Sequence, residues 1–208
     1  MTISAWVYRD STDAGYLPIL TKRPGSAADT TYQFYLDRLT DGGRLRFYNG
    51  SAVASPSGGT SIPTNQWVHV AISVDSGATN GTKWYVNGTA ESSTNTFSIT
   101  GSNTEEAMIG RLGPTSNYAK GKIDEVALFN SALSASDITA IYNSGVPDDL
   151  TSYSPVSWWR MGDGTGDTDS GGGTPASGDT IGTVVDQGSG SNNATGTNGP
   201  TYSSTVPS

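Results

Sequence analysis

The chain has 208 residues, a size that suits one sizeable domain, and it is 34% hydrophobic with 27 glycines. It has no cysteine, which excludes disulfide stapling, thiol chemistry and Cys-based zinc sites. The net charge of −8 is uneven, because residues 1–122 hold 10 basic and 9 acidic groups while residues 123–208 hold 1 basic and 10 acidic. Such an acidic second part would repel phosphates, so nucleic acid is not an expected partner. It reads either as a solvated face or as a supply of oxygen ligands for Ca²⁺.

Residues 2–8 alternate, with Ile3, Ala5 and Val7 on one face and Ser4, Trp6 and Tyr8 on the other, the period of a strand. The chain opens directly in this pattern, without a basic segment followed by an apolar one. No secretory signal is therefore expected, and export by cell lysis or a start further upstream would follow. Strand-like runs continue at 16–22, 32–39 and 44–49, the last running into the turn pair Asn49-Gly50. Residues 67–74 and 82–87 follow. Asn87-Gly88 marks a tight turn, and 89–91 can pair back. Further strands are expected at 107–111 and 122–129.

One helix is expected, at 134–143. Ser134 sits where an N-cap belongs, with Asp137 three residues on; Ile138 and Ile141 or Tyr142 give the apolar face, and Gly145 closes it. A strand at 156–161 is followed by 162–180, which is Gly, Asp, Ser and Thr with almost nothing apolar and reads as a long exposed loop. β character returns at 183–186 and, as an edge segment, at 197–206. Many short strands divided by turn residues predict an all-β antiparallel sandwich with one short helix. No run of about 18 apolar residues exists, so membrane insertion is not expected.

Five segments in order carry a family resemblance: Thr2-Ile-Ser-Ala-Trp-Val7, Asn65-Gln-Trp-Val-His-Val-Ala-Ile-Ser-Val-Asp75, Lys83-Trp-Tyr-Val-Asn-Gly88, Met108-Ile-Gly-Arg111, and the strand and helix from Gly121 to Gly145. Together they resemble the laminin-G-like and pentraxin-like jelly-roll domains of the concanavalin A-like lectin superfamily. The resemblance implies a jelly-roll core over residues 1–150. Residues 151–208 then form a Gly/Asp-rich extension that supplies extra edge strands to the same domain. Within that extension, Val156-Ser-Trp-Trp-Arg-Met-Gly-Asp-Gly164 and the stretch from Val184 to Gly196 resemble the segment that usually opens such a domain. Either the domain is circularly permuted, or the extension packs as an added edge. The extension is also similar to the ends of laminin-G-like proteins of marine phages.

His69 is the only histidine, and no serine or cysteine nucleophile is arranged around it in the sequence, so a structural role is expected. Asp124-Glu125 and Glu105-Glu106 are adjacent pairs, which in a regular strand point to opposite faces. Glycosidase chemistry needs two carboxyls on one face, so hydrolysis is not expected. Asp124 is expected to anchor the turn or the strand by accepting backbone hydrogen bonds. The resemblance implies a second role, Ca²⁺ held at a loop rim, for which Asp124, Asp186, Asn192 and Asn193 are the candidate ligands, with Asp163, Asp167 and Asp169 as further donors. Trp158 and Trp159 are adjacent, so one faces the core and the other is left for a covering loop or a ligand. Asn49, Asn80, Asn87 and Asn193 each head a glycosylation sequon, for which turn formation is sufficient reason at Asn49 and Asn87.

Function is expected to be non-catalytic: a structural or adhesion module of a virion, decorating a capsid or tail and binding neighbouring virion proteins or host glycans, and able to form homo-oligomers. The alternative is a carbohydrate-binding module of a secreted or surface protein, and a third is a glycoside hydrolase. A virion or extracellular location goes with the first two, and Ca²⁺ is the only cofactor implied.

Overall fold

A computed structural model describes residues 1–23, 32–99, 104–113 and 116–208. The strands are β1 (Thr2–Arg9), β2 (Leu17–Lys22), β3 (Tyr32–Leu36), β4 (Leu45–Tyr48), β5 (Val53–Ala54) and β6 (Trp67–Val74). They continue with β7 (Thr82–Val86), β8 (Thr89–Glu91), β9 (Ala107–Ile109), β10 (Arg111–Gly113), β11 (Ser116–Tyr118) and β12 (Gly121–Phe129). After helix α1 (Ala135–Tyr142) come β13 (Ser157–Trp159), β14 (Thr168–Asp169), β15 (Ile181–Val184) and β16 (Ala194–Thr195).

Two sheets face each other as a jelly-roll sandwich. One has the order β13-β12-β1-β6-β7-β8 and the other β5-β4-β3-β2-β9, and the pairings within both are antiparallel. β1 lies mid-sheet, paired with β12 on one edge and β6 on the other, and is buried on both faces. Ile3, Ala5 and Val7 face a core that also holds Leu17, Phe34, Phe47, Val70, Ile72 and Trp84. The opposite face is also covered, because α1 packs Ile138 and Ile141 onto Ala71, Tyr85, Ala127 and Phe129. Burying each large apolar side chain contributes roughly 1.5–3 kcal/mol.

The helix starts as the sequence predicts. Ser134 Oγ accepts from the Asp137 N–H, and the Asp137 carboxylate accepts from the Ser134 N–H. Its end is a correction: Asn143, in the left-handed region at φ 46°, caps the helix in place of Gly145, which belongs to the turn beyond. Among the described residues it is the only α-helix, and no helix is long and apolar enough to cross a membrane.

The extension joins the sandwich. β13 pairs with β12 in the register Val126 to Trp159 and Leu128 to Ser157. Trp159, Val184 and Tyr202 enter the same core as Ile3 and Val70. The segment 162–180, expected to be a loop, instead contains β14, which pairs with β15. It is ordered without apolar residues because Asp167 accepts the N–H groups of Gly162, Gly164 and Val185, and Asp169 those of Gly171 and Gly173. The edge expected at 197–206 reduces to a single bridge between Thr180 and Thr201. At Gly188 the backbone passes so close to β13 that a Cβ would stand 2.7 Å from the Val156 carbonyl oxygen.

Candidate functional site

A cleft of about 1380 Å³ opens along the flank of the sandwich. One wall carries Met108, Ile109 and Arg111; the other carries residues of β12, β13 and the extension, among them Asp124, Trp159 and Asp163. A concave surface mixing apolar and convergent polar groups is where ligands bind by default.

The chemistry of this wall originates in a β-bulge. Ser4 pairs with Ala127 and Trp6 with Asp124, so Ala5 faces two residues, Glu125 and Val126. Glu125 takes φ 50°, a conformation that costs a side-chain-bearing residue of order 1 kcal/mol or more. Its amide donates to Asp124 Oδ1 at 2.9 Å, the strand-anchoring role expected for Asp124. The Glu125 carboxylate accepts from Trp158 Nε1 through Oε2 and from Arg160 Nε through Oε1 at 3.2 Å. Arg160 continues to Asp163 at 2.9 Å and lies over the Trp158 ring, 5.3 Å from its centroid.

The electrostatics follow from burial. Asp124 is pushed up to about 8, first by burial and then by the neighbouring Glu125 charge, against a smaller pull from Arg160. Glu125 rises to about 6, again by burial, with the Trp158 and Arg160 hydrogen bonds opposing it. Two carboxyls titrating near neutrality beside a cleft mark this corner as the candidate site.

The tryptophan expectation is corrected. Trp158 and Trp159 do face opposite ways, but each is only 5% exposed. Trp159 fills the sandwich core, while Trp158 is covered on the outer face by Leu150, the helix cluster and Arg160. Trp158 is thus covered by the chain itself, and Trp159 meets the cleft only by its edge.

The calcium expectation meets a different chemistry. Asp186 accepts the N–H groups of Trp158 and Gly188 on Oδ1 and of Asn192 on Oδ2, each at 2.8 Å. Asn193 Oδ1 accepts from the Asp186 N–H at 3.1 Å. Asn192 presents its amide nitrogen to Ser157, and its carbonyl oxygen accepts from Trp159 Nε1 at 2.8 Å. These residues come together as a knot that fastens the loop to β13, in which Asp186 Oδ1 and Oδ2 and Asn193 Oδ1 accept from N–H donors. Asp124 stands apart with Glu125. Among the described residues, no three His, Cys, Asp or Glu side chains gather as a metal site.

His69 has a serine neighbour after all: Ser4 Oγ lies 2.8 Å from its Nε2. Both are buried, and His69 Nδ1 has no hydrogen-bond partner, so the orienting carboxylate of a hydrolytic triad is missing. Burial holds His69 down at about 3, and it packs between Trp6 and Tyr142. Sequence reasoning passed over Arg160 and the Glu125 bulge. The signal for Arg160 was available, since it is the one cation in the acidic second part of the chain.

Comparison with curated protein sequences gives no match. Solved structures similar in fold include a Bacteroides ovatus protein proposed to bind carbohydrate (18% identity, TM-score 0.68). That likeness covers 99% of this chain and 54% of the other, so the chain spans about half the length of that protein. A heptameric SAP-like pentraxin from Limulus polyphemus is similar at 16% identity and TM-score 0.52, with 68% of each chain covered. Domain 4 of a GH43 extracellular arabinanase from Geobacillus stearothermophilus, solved with arabinotriose, is similar at 25% identity and TM-score 0.50, covering 68% of this chain and 65% of that one. The family model for the concanavalin A-like lectin/glucanases superfamily, of laminin-G type, matches residues 1–139. The sandwich, its register and this match agree, and the chain belongs to that laminin-G-type family.

Proposed function

We propose that this chain is a non-catalytic carbohydrate-binding module whose ligand lies in the flank cleft. The observation that carries the reading is the meeting, in one cleft, of the polar corner Asp124–Arg160–Asp163 with aromatic surface at Tyr118, which is 45% exposed. Sugar hydroxyls donate to carboxylates and accept from guanidinium groups along their edges, and the apolar faces of sugars stack on aromatic rings. The carbohydrate-linked descriptions of the Bacteroides protein and the arabinanase domain support the same reading. The absence of catalysis is supported by two observations: the Ser4–His69 pair is sealed, and both Glu125 oxygens are committed to Trp158 and Arg160. An extracellular role, on a virion or another surface assembly, goes with this reading.

A glycan array probed with the purified chain tests it. Binding that is lost on blocking the cleft, for instance by Ala194→Trp at its lining, supports the module. A folded chain that binds no glycan rejects it.

A further inference from the structure

We infer that Asn198 is a site of spontaneous covalent modification, deamidating through attack by the Gly199 amide nitrogen, and that the product alters one wall of the flank cleft. The chain has four Asn-Gly pairs, Asn49-Gly50, Asn80-Gly81, Asn87-Gly88 and Asn198-Gly199. Glycine has no Cβ to shield its nitrogen, so each pair is chemically competent. The fold protects three of them. Asn49 is held at both ends of its side chain: Oδ1 accepts from the Ser51 and Ala52 N–H groups, and Nδ2 donates to the Ser98 carbonyl. At Asn80 the attacking nitrogen is engaged, because the Gly81 N–H donates to the Ala78 carbonyl at 2.8 Å. At Asn87 the side chain accepts from the His69 N–H, and Gly88 is buried against the Tyr142 ring.

Asn198-Gly199 has none of this cover. Both residues are exposed, a Cβ placed at Gly199 would meet nothing within 4 Å, and no described residue accepts the Gly199 N–H. One bond restrains the side chain, from Asn198 Nδ2 to the Tyr118 hydroxyl at 3.1 Å. Breaking it frees the side-chain carbonyl carbon for attack. The Gly199 nitrogen gives up its proton to base and bonds to Asn198 Cγ, closing a succinimide ring. The Cγ–Nδ2 bond breaks, and Nδ2 takes up a proton and leaves as ammonia. Water then opens the ring at either carbonyl, giving aspartate or isoaspartate; nothing is oxidised or reduced. Either product places a carboxylate beside the exposed Tyr118 ring on the cleft. Isoaspartate also adds a carbon to the main chain between residues 198 and 199. That insertion falls just ahead of Pro200, whose carbonyl accepts the Ile181 N–H at 2.9 Å and ties this segment to β15.

Peptide mapping by mass spectrometry, after incubation of the full chain in mildly alkaline and in mildly acidic buffer, tests this. Asn198 should convert first, at roughly tenfold or more the rate of Asn49, Asn80 and Asn87, the worth of the further hydrogen bonds and packing that those sites must break. Its rate should rise with pH, since the attacking nitrogen must lose a proton. Tyr118→Phe removes the restraint and should quicken conversion by roughly fivefold, the worth of one hydrogen bond. Asn198→Gln, whose longer side chain must close a larger ring, should abolish it. In the isoaspartyl fraction, hydrogen exchange at the Ile181 amide should quicken. Asn198→Asp, with the charge but not the extra carbon, should leave that exchange at the parent rate. Earlier conversion of Asn49, Asn80 or Asn87, equal rates at the four sites, or an unmodified Asn198 overturns the site. An unaltered rate in Tyr118→Phe overturns the restraint, and unchanged exchange at Ile181 overturns the effect on the cleft wall.

Discussion

The indole N–H of Trp158 donates to the carboxylate of Glu125, joining the strand added by the extension to the bulge in β12. Glu125 is held in a left-handed conformation at that bulge, so the bond links a strained backbone to the packing of the outer face. Trp158→Phe should destabilise the chain by about 1–3 kcal/mol, because the buried Glu125 Oε2 loses its donor while Oε1 keeps Arg160. Urea unfolding of Trp158→Phe, Glu125→Gln and the double variant should give a coupling of about 0.5–3 kcal/mol. Additive effects would mean that the bond is inert.

The acidic pair should make stability fall as pH rises. Asp124 moves from 3.8 to about 8 on folding, so its contribution is complete below 3.8 and lost as pH climbs through 8. Glu125 moves from 4.5 to about 6 and loses its share over that narrower window. Chemical denaturation of Asp124→Asn across this range should show a shallower decline than the parent, and identical slopes would dismiss the argument.

His69 acts in the opposite sense. Its folded value lies near 3 against 6.5 unfolded, so the folded state favours the neutral ring. That contribution is present above 6.5 and drains away as pH falls toward 3. His69→Gln should flatten the acid limb of the Tm profile, whatever it costs at neutral pH. An unchanged acid limb would show that the ring titrates normally.

Asp186 should matter for stability without any dependence on calcium. Asp186→Ala leaves three N–H groups without their acceptor and should cost about 3 kcal/mol or more, less whatever water recovers. Asp186→Asn keeps an Oδ1 for Trp158 and Gly188 and should cost less. EDTA and Ca²⁺ should leave the Tm of the parent unchanged, because its carboxylate already has its donors. A rise in Tm with Ca²⁺ would reinstate the metal.

Ser134→Ala removes the acceptor for the Asp137 N–H and should cost about 1 kcal/mol in thermal or urea unfolding. The loss should be larger than for Ser136→Ala one turn position on, which caps nothing.

Much of the sandwich was legible. The alternation of residues 2–8 placed Ile3, Ala5 and Val7 in the core, and the Ser134–Asp137 spacing placed the helix start. The segment 162–180 was not legible, because it is ordered by carboxylates cradling amides and carries no apolar period. The same ambiguity hid the role of Asp186. A loop of Asp, Asn and Gly looks alike whether its oxygens face a cation or backbone N–H groups. The tryptophans taught a related lesson: opposite orientation was correct, yet α1 and Leu150 cover the outer ring, which no two-residue argument could show. The Glu125 bulge left a trace that was not read: Ile123 and Val126 both face the core but stand three residues apart, so the two-residue period of β12 breaks at Asp124-Glu125.

The pairing of β13 with β12, and the knot of Asp186 onto Trp158, have a consequence for synthesis of the chain. Nearly everything that β12 needs on its β1 side has left the ribosome long before the residues that cover its other edge. At 5–20 residues per second, the roughly 60 residues from Phe129 to Asp186 take about 3–12 s to emerge. During that interval a nascent sandwich carries an open hydrogen-bonding edge and a hole the size of Trp159, which makes this period the one in which a chaperone would find its substrate.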